Sequence, residues 1–267
     1  IEPRNIKDVI NDSGLNLDLN RLSISESPEI LIAGCGTGQH AITTASKYKK
    51  SRILALDLSF KSLSYAKRKA SELNINNIDF IQGDILDLES IDRKFDIIES
   101  VGVLHHMDNP FKGWKILTSC LNNDSLMLVG LYSEKAREYI TQIKNKINEL
   151  NLQSDYKNII KFRKDLIENN NDQWGHIKLS PDFYTVSGVR DLLFHVQEHK
   201  FTIRKIKEHL DKLGLIFLGF EDQSVKKNFK DNYANKNDLY NLDKWEIYEK
   251  SNPRIFAGMY QFWCKKI

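Results

Sequence analysis

The feature that most constrains the fold is the run Glu29-Ile-Leu-Ile-Ala-Gly-Cys-Gly-Thr-Gly-Gln-His40. A short apolar strand leads into Gly34, Gly36 and Gly38, and a helix is expected over Ala41–Lys47. Glycines at such a point allow positive φ and let a ligand lie against bare backbone, while the N-terminus of the next helix offers unpaired N–H groups. The segment therefore predicts a site for a nucleotide-like cofactor.

Short apolar runs alternate with amphipathic segments through the first half of the chain. One of these segments is Ser62–Leu73, which gathers its apolar residues on one face and its lysines and arginine on the other. This alternation is typical of a parallel sheet covered by helices. The predicted strands are Ile30–Ala33, Ile53–Leu56, Ile78–Gln82, Phe95–Ser100 and Leu126–Leu131, with Leu215–Phe220 and Phe256–Trp263 nearer the C-terminus.

The alternation stops after the fifth strand. Ser133–Leu150 is predicted to be a long polar helix, and a stretch rich in Asn, Asp and Lys follows it through Trp174. Further helices are expected over Val189–His199, Ile203–Leu213 and Leu239–Glu249. We therefore divide the chain into a lead-in (1–28), a cofactor-binding half (29–132), a helical insertion that caps an active site (133–202) and a C-terminal half that completes the sheet (203–267).

Composition argues against several classes of protein. The 39 Lys and Arg against 36 Asp and Glu give a net charge of +3, which is too near balance to indicate a nucleic-acid-binding surface. No run approaches the roughly 20 apolar residues that span a bilayer, so no membrane partner is expected. Cys35, Cys120 and Cys264 lie far apart in apolar runs, which suits free thiols in a reducing compartment and predicts a cytoplasmic protein.

An acidic residue ends the second predicted strand. Asp57 at this position is able to accept hydrogen bonds from both hydroxyls of a ribose, and Ser59 is the better cap for the next helix. A dinucleotide-binding fingerprint would also put glycines after the first strand, but its third glycine would fall where Gln39 stands. The glycine spacing therefore favours another nucleotide-like cofactor.

Two further strand ends extend the pattern. The third strand ends in Gly83-Asp84-Ile85, and the fourth runs through Glu99 and Ser100 into Val101-Gly-Val-Leu-His-His-Met107. Together with the glycine loop and Asp57, these elements resemble the class I S-adenosylmethionine-dependent methyltransferases and follow that family's order. The resemblance implies a Rossmann-like α/β fold: a seven-stranded, mostly parallel sheet with helices on both faces, a helical insertion between strands 5 and 6, and an antiparallel last strand.

The same resemblance implies S-adenosylmethionine as the cofactor, with no metal. In the family, the residue matching Asp84 accepts from the adenine amino group, the next residue, here Ile85, packs on the ring, and the segment after the fourth strand lies beneath the methionine part. Glu99 is a candidate to hold the cofactor's amino group. The predicted cofactor-binding residues are Ala33, Gly34, Cys35, Gly36, Gly38, Asp57, Leu58, Asp84, Ile85, Glu99 and Ser100.

Methyl transfer needs two aligned reactants, and it needs a base only where the nucleophile carries a proton. His105, His106 and Tyr132 are the candidate catalytic residues at the carboxyl edge of strands 4 and 5, where open α/β sheets place their ligands. From the insertion, Tyr184 is a fourth candidate, and Arg190 and His195 are expected to reach over the site. A role in supporting the cofactor remains an alternative for the two histidines.

A narrower resemblance concerns the C-terminal half. Phe183–Thr202, Asn252-Pro253 and Phe256–Trp263 resemble bacterial methyltransferases associated with tetratricopeptide repeats, a group that the rickettsial protein lysine methyltransferases also resemble. This implies N-methylation of protein lysine or a related amine, and an N-terminal repeat region as a possible companion. A small-molecule N- or O-methyltransferase and a non-catalytic S-adenosylmethionine-binding module stay as alternatives.

Another pattern points to different chemistry. His195-Val-Gln-Glu-His199 matches the H-x-x-E-H arrangement of a zinc protease helix. It has only three fixed positions, and the glycine loop explains far more of the chain. We therefore expect these residues to belong to a packed helix rather than to a metal site.

Overall fold

The computed structural model describes residues 2–168, 172–194, 198–233 and 235–267. Within them, a seven-stranded sheet has the order β3-β2-β1-β4-β5-β7-β6. Strands β1 to β5 pair in parallel, and β7 runs antiparallel to both of its neighbours. This arrangement confirms the predicted Rossmann-like α/β fold. The strands are β1 (Glu29–Ala33), β2 (Arg52–Asp57), β3 (Ile78–Gln82), β4 (Phe95–Val101), β5 (Leu121–Leu131), β6 (Leu215–Phe220) and β7 (Tyr260–Lys266).

Helices cover both faces of the sheet, because each face carries apolar side chains that must be removed from water. One face packs around Trp114, Phe220 and Trp245, and the other around Ile6, Ala41 and Leu63. The helices are α1 (Ile6–Asp12), α2 (Gln39–Lys47), α3 (Phe60–Glu72), α4 (Pro110–Cys120), α5 (Glu138–Glu149), α6 (Tyr156–Glu168), α7 (Val186–Leu193), α8 (Ile203–Leu213), α9 (Gln223–Lys230) and α10 (Leu242–Ser251), with 3₁₀ turns at Leu19–Arg21, Ile85–Ser90, Leu104–His106, Asp172–Leu179, Pro181–Tyr184 and Lys236–Tyr240.

The first three helices between β5 and β6, α5 to α7, form a unit of their own. Residues 138–168 and 172–194, here called the cap, share a hydrophobic cluster around Ile143, Phe162 and Phe183 that is separate from the two clusters on the sheet. The chain then returns through Glu198–Phe201, here called the return segment. In this segment His199 N donates to His105 O at 2.8 Å, and Phe201 N donates to Tyr132 O at 2.9 Å. The predicted insertion between strands 5 and 6 is therefore confirmed.

Several predicted boundaries were wrong, each for a tertiary reason. Helix α5 begins at Glu138 rather than at Ser133, whose hydroxyl instead donates to the buried Glu249 carboxylate at 3.0 Å. Strand β7 begins at Tyr260 rather than at Phe256, because the Phe256 ring is buried from a turn, 4.6 Å from the Phe220 ring. The predicted helix Val189–His199 corresponds to α7, which ends at Leu193, and residues 195–197 lie outside the described residues.

Two helices correct the sequence analysis in other ways. Helix α6 lies in the Asn-, Asp- and Lys-rich stretch for which no helix was predicted. Helix α10 runs over Leu242–Ser251, a shift of two to three residues from the prediction. No helix in the described part of the chain is long and apolar enough to cross a membrane.

Candidate active site

The loop between β1 and α2 folds back over the end of β2. Gly34 N and Cys35 N both donate to Leu56 O, at 2.8 and 2.9 Å. Gly34 has a φ of 81°, and a Cβ atom there would overlap the Val103 side chain. Gly36 has a φ of 52°, and a Cβ atom there would meet nothing within 4 Å. The backbone is therefore tightly held at Gly34 and open at Gly36, as a ligand lying against bare backbone requires.

Asp57, at the end of β2, faces this loop. Its Oδ2 accepts from Gly36 N at 2.7 Å and its Oδ1 from Ser59 N at 2.8 Å. Each oxygen keeps a further lone pair, so the carboxylate is oriented and still able to accept from hydroxyl groups. Ser59 is the cap of α3, as predicted, because its Oγ accepts from Ser62 N.

A cavity of about 110 Å³ opens beside Asp57. Its walls are mainly apolar, and Asp84 provides a second carboxylate. Asp84 Oδ1 accepts from Leu86 N at 2.9 Å, which fixes the side chain at the start of a 3₁₀ turn. An apolar cavity with two oriented carboxylates suits a flat base attached to a sugar. The lining residues are Gly34, Leu56, Asp57, Leu58, Gly83, Asp84, Ile85, Val103 and Met107.

Glu99 lies in β4, beneath the glycine loop, and is only 3% exposed. Its Oε2 accepts from Thr44 Oγ1 at 2.8 Å and pairs with His40 Nε2 at 2.7 Å. Burial lowers the pKa of His40, but the hydrogen bond and the charge of Glu99 outweigh it and raise that pKa above its ordinary value. Glu99 thus anchors the first two turns of α2 through Oε2, and its Oε1 is the oxygen left to contact the amino group of a cofactor.

The remaining residues predicted for the cofactor differ in exposure. Ala33 and Ser100 are fully buried beneath the loop, so the structure gives them a supporting position. Gly38 is the N-cap of α2. Cys35 is a free thiol with little exposure, and its burial raises its pKa to about 12, so it is a poor nucleophile.

His105, His106 and Tyr132 come together at the ends of β4 and β5. The fully buried His105 ring stacks on Tyr132 with centroids 3.8 Å apart, and it meets His106 edge-on at 4.3 Å. Burial and the neighbouring His106 lower the pKa of His105 to about 3, so the ring is neutral near pH 7. Burial raises the pKa of Tyr132. Neither group is suited to take a proton from a hydroxyl near neutral pH.

Sequence reasoning missed two charged residues beside this cluster, Arg137 and Glu198. The Arg137 guanidinium carbon lies 3.6 Å from the centroid of the Tyr132 ring. Glu198 accepts from Arg137 Nε and Nη2 at 3.0 and 3.1 Å, and Lys144 Nζ lies 3.0 Å from the same carboxylate. The side chains of Arg137 and Glu198 are 6% and 3% exposed. No local pattern indicates this pair, because 61 positions separate its members in the sequence.

The candidates from the insertion have other surroundings. Tyr184 is 65% exposed, and its hydroxyl donates to Lys178 O at 2.8 Å, within the cap. Arg190 is exposed, and His195 lies outside the described residues. Of the other fixed positions in the H-x-x-E-H pattern, Glu198 is held by Arg137 and Lys144, and the His199 backbone is bonded to His105. The structure therefore ties Glu198 and His199 to the His105 and Tyr132 cluster.

Comparisons with known proteins define the class. A family model described as a methyltransferase domain matches residues 24–186, more than half of the chain. The chain therefore belongs to this methyltransferase family. Its Rossmann-like sheet and glycine loop are the features expected of an S-adenosylmethionine-dependent member of that family.

Particular relatives extend this result. An uncharacterised protein of Synechococcus sp., syc1184_c, is 26% identical over 242 residues, which cover 85% of this chain and 58% of that protein. Probable (S)-tetrahydroprotoberberine N-methyltransferase 2 of Papaver bracteatum is 31% identical over 122 residues, 46% of this chain and 34% of that protein. The chain thus spans little more than half of the longer match and about a third of the plant enzyme.

A solved structure matches the whole chain. PKMT2 from Rickettsia typhi superposes with a TM-score of 0.70 at 18% identity and covers 100% of this chain, whereas the chain covers 54% of PKMT2. The complex of PKMT2 with AdoHcy gives a TM-score of 0.64 at 20% identity over 95% of this chain. At this level of identity, the likeness establishes a common fold.

Proposed function

We propose that this methyltransferase transfers the methyl group to an amine nitrogen, that of a protein lysine or a related amine. The observation that carries the proposal is the weak basicity of the two stacked rings at the ends of β4 and β5: burial lowers the pKa of His105 to about 3 and raises that of Tyr132. A neutral amine attacks with its own lone pair and loses its proton afterwards, whereas a hydroxyl needs a base during attack. The site therefore favours an amine acceptor over a hydroxyl.

The relatives support the same chemistry. Probable (S)-tetrahydroprotoberberine N-methyltransferase 2 and the Papaver somniferum protein (S)-coclaurine N-methyltransferase, which is 30% identical over 125 residues, are both named for N-methylation. The resemblance of Phe183–Thr202 to the rickettsial protein lysine methyltransferases favours a protein acceptor. We therefore rank protein lysine first and a small-molecule amine second.

Five of the predicted cofactor-binding residues have a direct role in this proposal. S-adenosylmethionine supplies an electrophilic methyl group on a positively charged sulfur. The open backbone at Gly36 receives the cofactor, Asp57 accepts from its ribose hydroxyls, and Asp84 and Ile85 hold its adenine. Glu99 contributes negative charge close to the amino group. These residues bind and orient, which is what an in-line displacement requires of a protein.

The two histidines differ in burial but belong to one wall of the site. His105 is fully buried and neutral, so it stacks against Tyr132 and shapes the wall of the site. His106 is half-buried and meets the His105 ring edge-on, so it belongs to the same wall, and the proton that the amine releases after transfer passes to solvent. Tyr132 belongs to the same wall, with the Arg137 guanidinium over its ring.

Matched acceptors test the proposal. A peptide containing lysine, the same peptide with 6-hydroxynorleucine in place of lysine, benzylamine and benzyl alcohol are each incubated with methyl-labelled S-adenosylmethionine. We expect label in amines only, at a rate that rises with pH as the acceptor amine loses its proton. Label in benzylamine but in no peptide would select the small-molecule alternative. Label in the hydroxyl acceptors at comparable rates would contradict the proposal.

A further inference from the structure

A second cavity lies at the same edge of the sheet as the glycine loop. Its volume is about 280 Å³. The end of β6 and the start of α9 form one side, and the turn before β7 forms the other. Apolar side chains form most of its walls, and two adjacent carboxylates, Glu221 and Asp222, line it as well. The apolar lining includes Phe220, Val225, Ile255, Phe256 and Met259.

Two contacts join this cavity to the cofactor site. Met259 covers the ends of β4 and β5. Its Cε lies 3.8 Å from the position that a Cβ atom on Gly102 would take, and its Sδ lies 2.9 Å from the position that a Cβ atom on Gly130 would take. The negative charge of Glu221 helps to raise the pKa of His40, which lies in the first turn after the glycine loop. The cavity therefore opens beside the ends of β4 and β5, where His105 and Tyr132 also lie.

The charges around the cavity leave an excess of negative charge. Glu221 Oε2 accepts from Trp263 Nε1 at 2.5 Å, and this bond leaves Oε1 available. Asp222 Oδ1 accepts from the Ser224 and Val225 N–H groups at the start of α9. Lys226 Nζ, the nearest lysine in sequence, donates to Ser13 O at 2.9 Å.

The count of charges follows from these contacts. Two carboxylates, Glu221 and Asp222, line the cavity, and one cation, Lys226, lies close enough to interact with both of their charges. A mainly apolar cavity with surplus negative charge favours a ligand that combines an apolar body with a cationic end.

We infer that this cavity binds the methyl acceptor as an amine with an apolar body, with Glu221 as the partner of its ammonium group. The inference rests on the proposed function, since it names the class of amine and the place at which it docks. Binding and transfer are separate steps: the ammonium must lose a proton to solvent before its nitrogen can attack. Glu221 acts in the first of these steps, as a binding residue.

Two probes of nearly equal shape test the charge preference. 4-Fluorobenzylamine and 4-fluorobenzyl alcohol are titrated by ¹⁹F NMR into protein saturated with S-adenosylhomocysteine. We expect the amine to bind about fivefold more tightly than the alcohol, the size of an exposed or half-buried charge pair. Glu221→Gln keeps an oxygen for the Trp263 indole and should abolish the difference. Glu149→Gln, an exposed carboxylate at the end of α5, should preserve it.

A second variant tests the location. Gly258 lines the cavity, and a Cβ atom there would meet nothing within 4 Å, so Gly258→Leu adds bulk at the cavity without a clash. We expect both probes to lose affinity in this variant, while S-adenosylhomocysteine binds as before. Equal affinities for amine and alcohol, a preference that survives Glu221→Gln, or undiminished binding to Gly258→Leu would each overturn the inference.

Methyl transfer separates this inference from the proposed function. If the amine probe binds with the expected preference but no amine is methylated, the proposed function fails and the binding site stands. If amines are methylated and Glu221→Gln leaves KM for them unchanged, the proposed function stands and the inference fails.

Discussion

Backbone N–H groups position the glycine loop at the cofactor edge, whereas charged side chains join the cap to the return segment that follows it. The glycine loop is held by N–H bonds from Gly34 and Cys35 to Leu56 O and from Gly36 to Asp57. Glu198 of the return segment is bound by Lys144 of the cap and by Arg137, which directly precedes α5, and the backbone of the return segment is bonded to His105 and Tyr132.

The hydrophobic clusters differ in the same way. The residues of the cofactor edge belong to the clusters that cover the sheet, but the cap has a cluster of its own. A region that buries its apolar surface internally depends on polar contacts for its attachment, and a buried ion pair becomes costly when one partner is removed. We therefore expect substitutions to damage cofactor binding and cap attachment independently.

The largest effect is expected at Gly34. In Gly34→Ala, the added methyl group overlaps Val103 while φ stays positive, so the loop must move. We expect affinity for S-adenosylhomocysteine to fall by about a hundredfold or more, the equivalent of losing two or three hydrogen bonds. Hydrogen exchange in the cap should remain as in the wild type. Gly258→Ala, which adds a methyl group in open space, is the control. Near-normal affinity for S-adenosylhomocysteine in Gly34→Ala would contradict the claim that the backbone of the glycine loop positions the cofactor.

The next effect is on the cap. Arg137→Gln leaves Glu198 buried with Lys144 as its remaining cationic partner, which should destabilise the attachment of the cap by about 3 kcal/mol. Amide hydrogen exchange over residues 138–194 should accelerate, while affinity for S-adenosylhomocysteine changes less than about threefold. Lys146→Gln, in an exposed pair with Glu149, should cost no more than about 0.5 kcal/mol. Unchanged exchange in Arg137→Gln would show that the ion pair does not hold the cap.

These two regions also differ in how far the sequence predicts them. The strands, the glycine loop and the acidic strand end are local patterns, because each depends on residues within a few positions of one another. The α6 helix carried such a signal too: Ile159, Phe162 and Leu166 recur at helical spacing and are buried, but Asn, Asp and Lys residues around them concealed it.

Other features could not be predicted from local patterns. The approach of Glu198 to Arg137 and the burial of Phe256 from a turn depend on residues that are far apart in the chain. The same is true of the shortened start of α5, where Ser133 contacts Glu249, 116 positions away. The sequence predicted that His105 and His106 lie at the carboxyl edge of the sheet, where the structure has them. The lowered pKa of His105 follows from its burial, which local sequence does not indicate.

Acidity should separate the two regions as well. The pKa of His105 falls from 6.5 to about 3 on folding, so its contribution to stability is full above pH 6.5 and is lost as the pH falls towards 3. His105→Phe keeps a ring against Tyr132 without titrating. Its free energy of unfolding should therefore decline less than that of the wild type between pH 7 and pH 4.5, by up to about 3 kcal/mol.

His40 provides the opposite case at the cofactor edge. Its pKa is raised, so its contribution is full below its unfolded pKa of 6.5 and is lost as the pH rises through the folded value. His40→Gln removes this titration, so its free energy of unfolding should fall less than that of the wild type as the pH rises above 6.5. Denaturant titrations at several pH values measure the free energy of unfolding of both variants. Parallel pH profiles for wild type and His105→Phe would contradict the lowered pKa of His105.

The smallest effect is expected at Tyr184. Because its hydroxyl bonds to Lys178 O within the cap and the side chain is largely exposed, Tyr184→Phe should change the rate of methyl transfer less than about twofold. Tyr132→Phe, next to His105, is the comparison and should have the larger effect. A tenfold lower rate of methyl transfer in Tyr184→Phe would make Tyr184 a catalytic candidate again. It would also mean that the outer surface of the cap contacts the methyl acceptor.

Calorimetric titration of S-adenosylmethionine tests the central claim most directly, with the intact chain, Asp57→Ala and Asp79→Ala compared under one set of conditions. Asp79 is an exposed carboxylate on the edge strand β3 and serves as the matched control. We predict micromolar binding by the intact chain and by Asp79→Ala, and a loss of about a hundredfold in Asp57→Ala. Full affinity in Asp57→Ala, or equal losses in the two variants, would contradict the assignment of the cofactor site to the glycine loop and the end of β2.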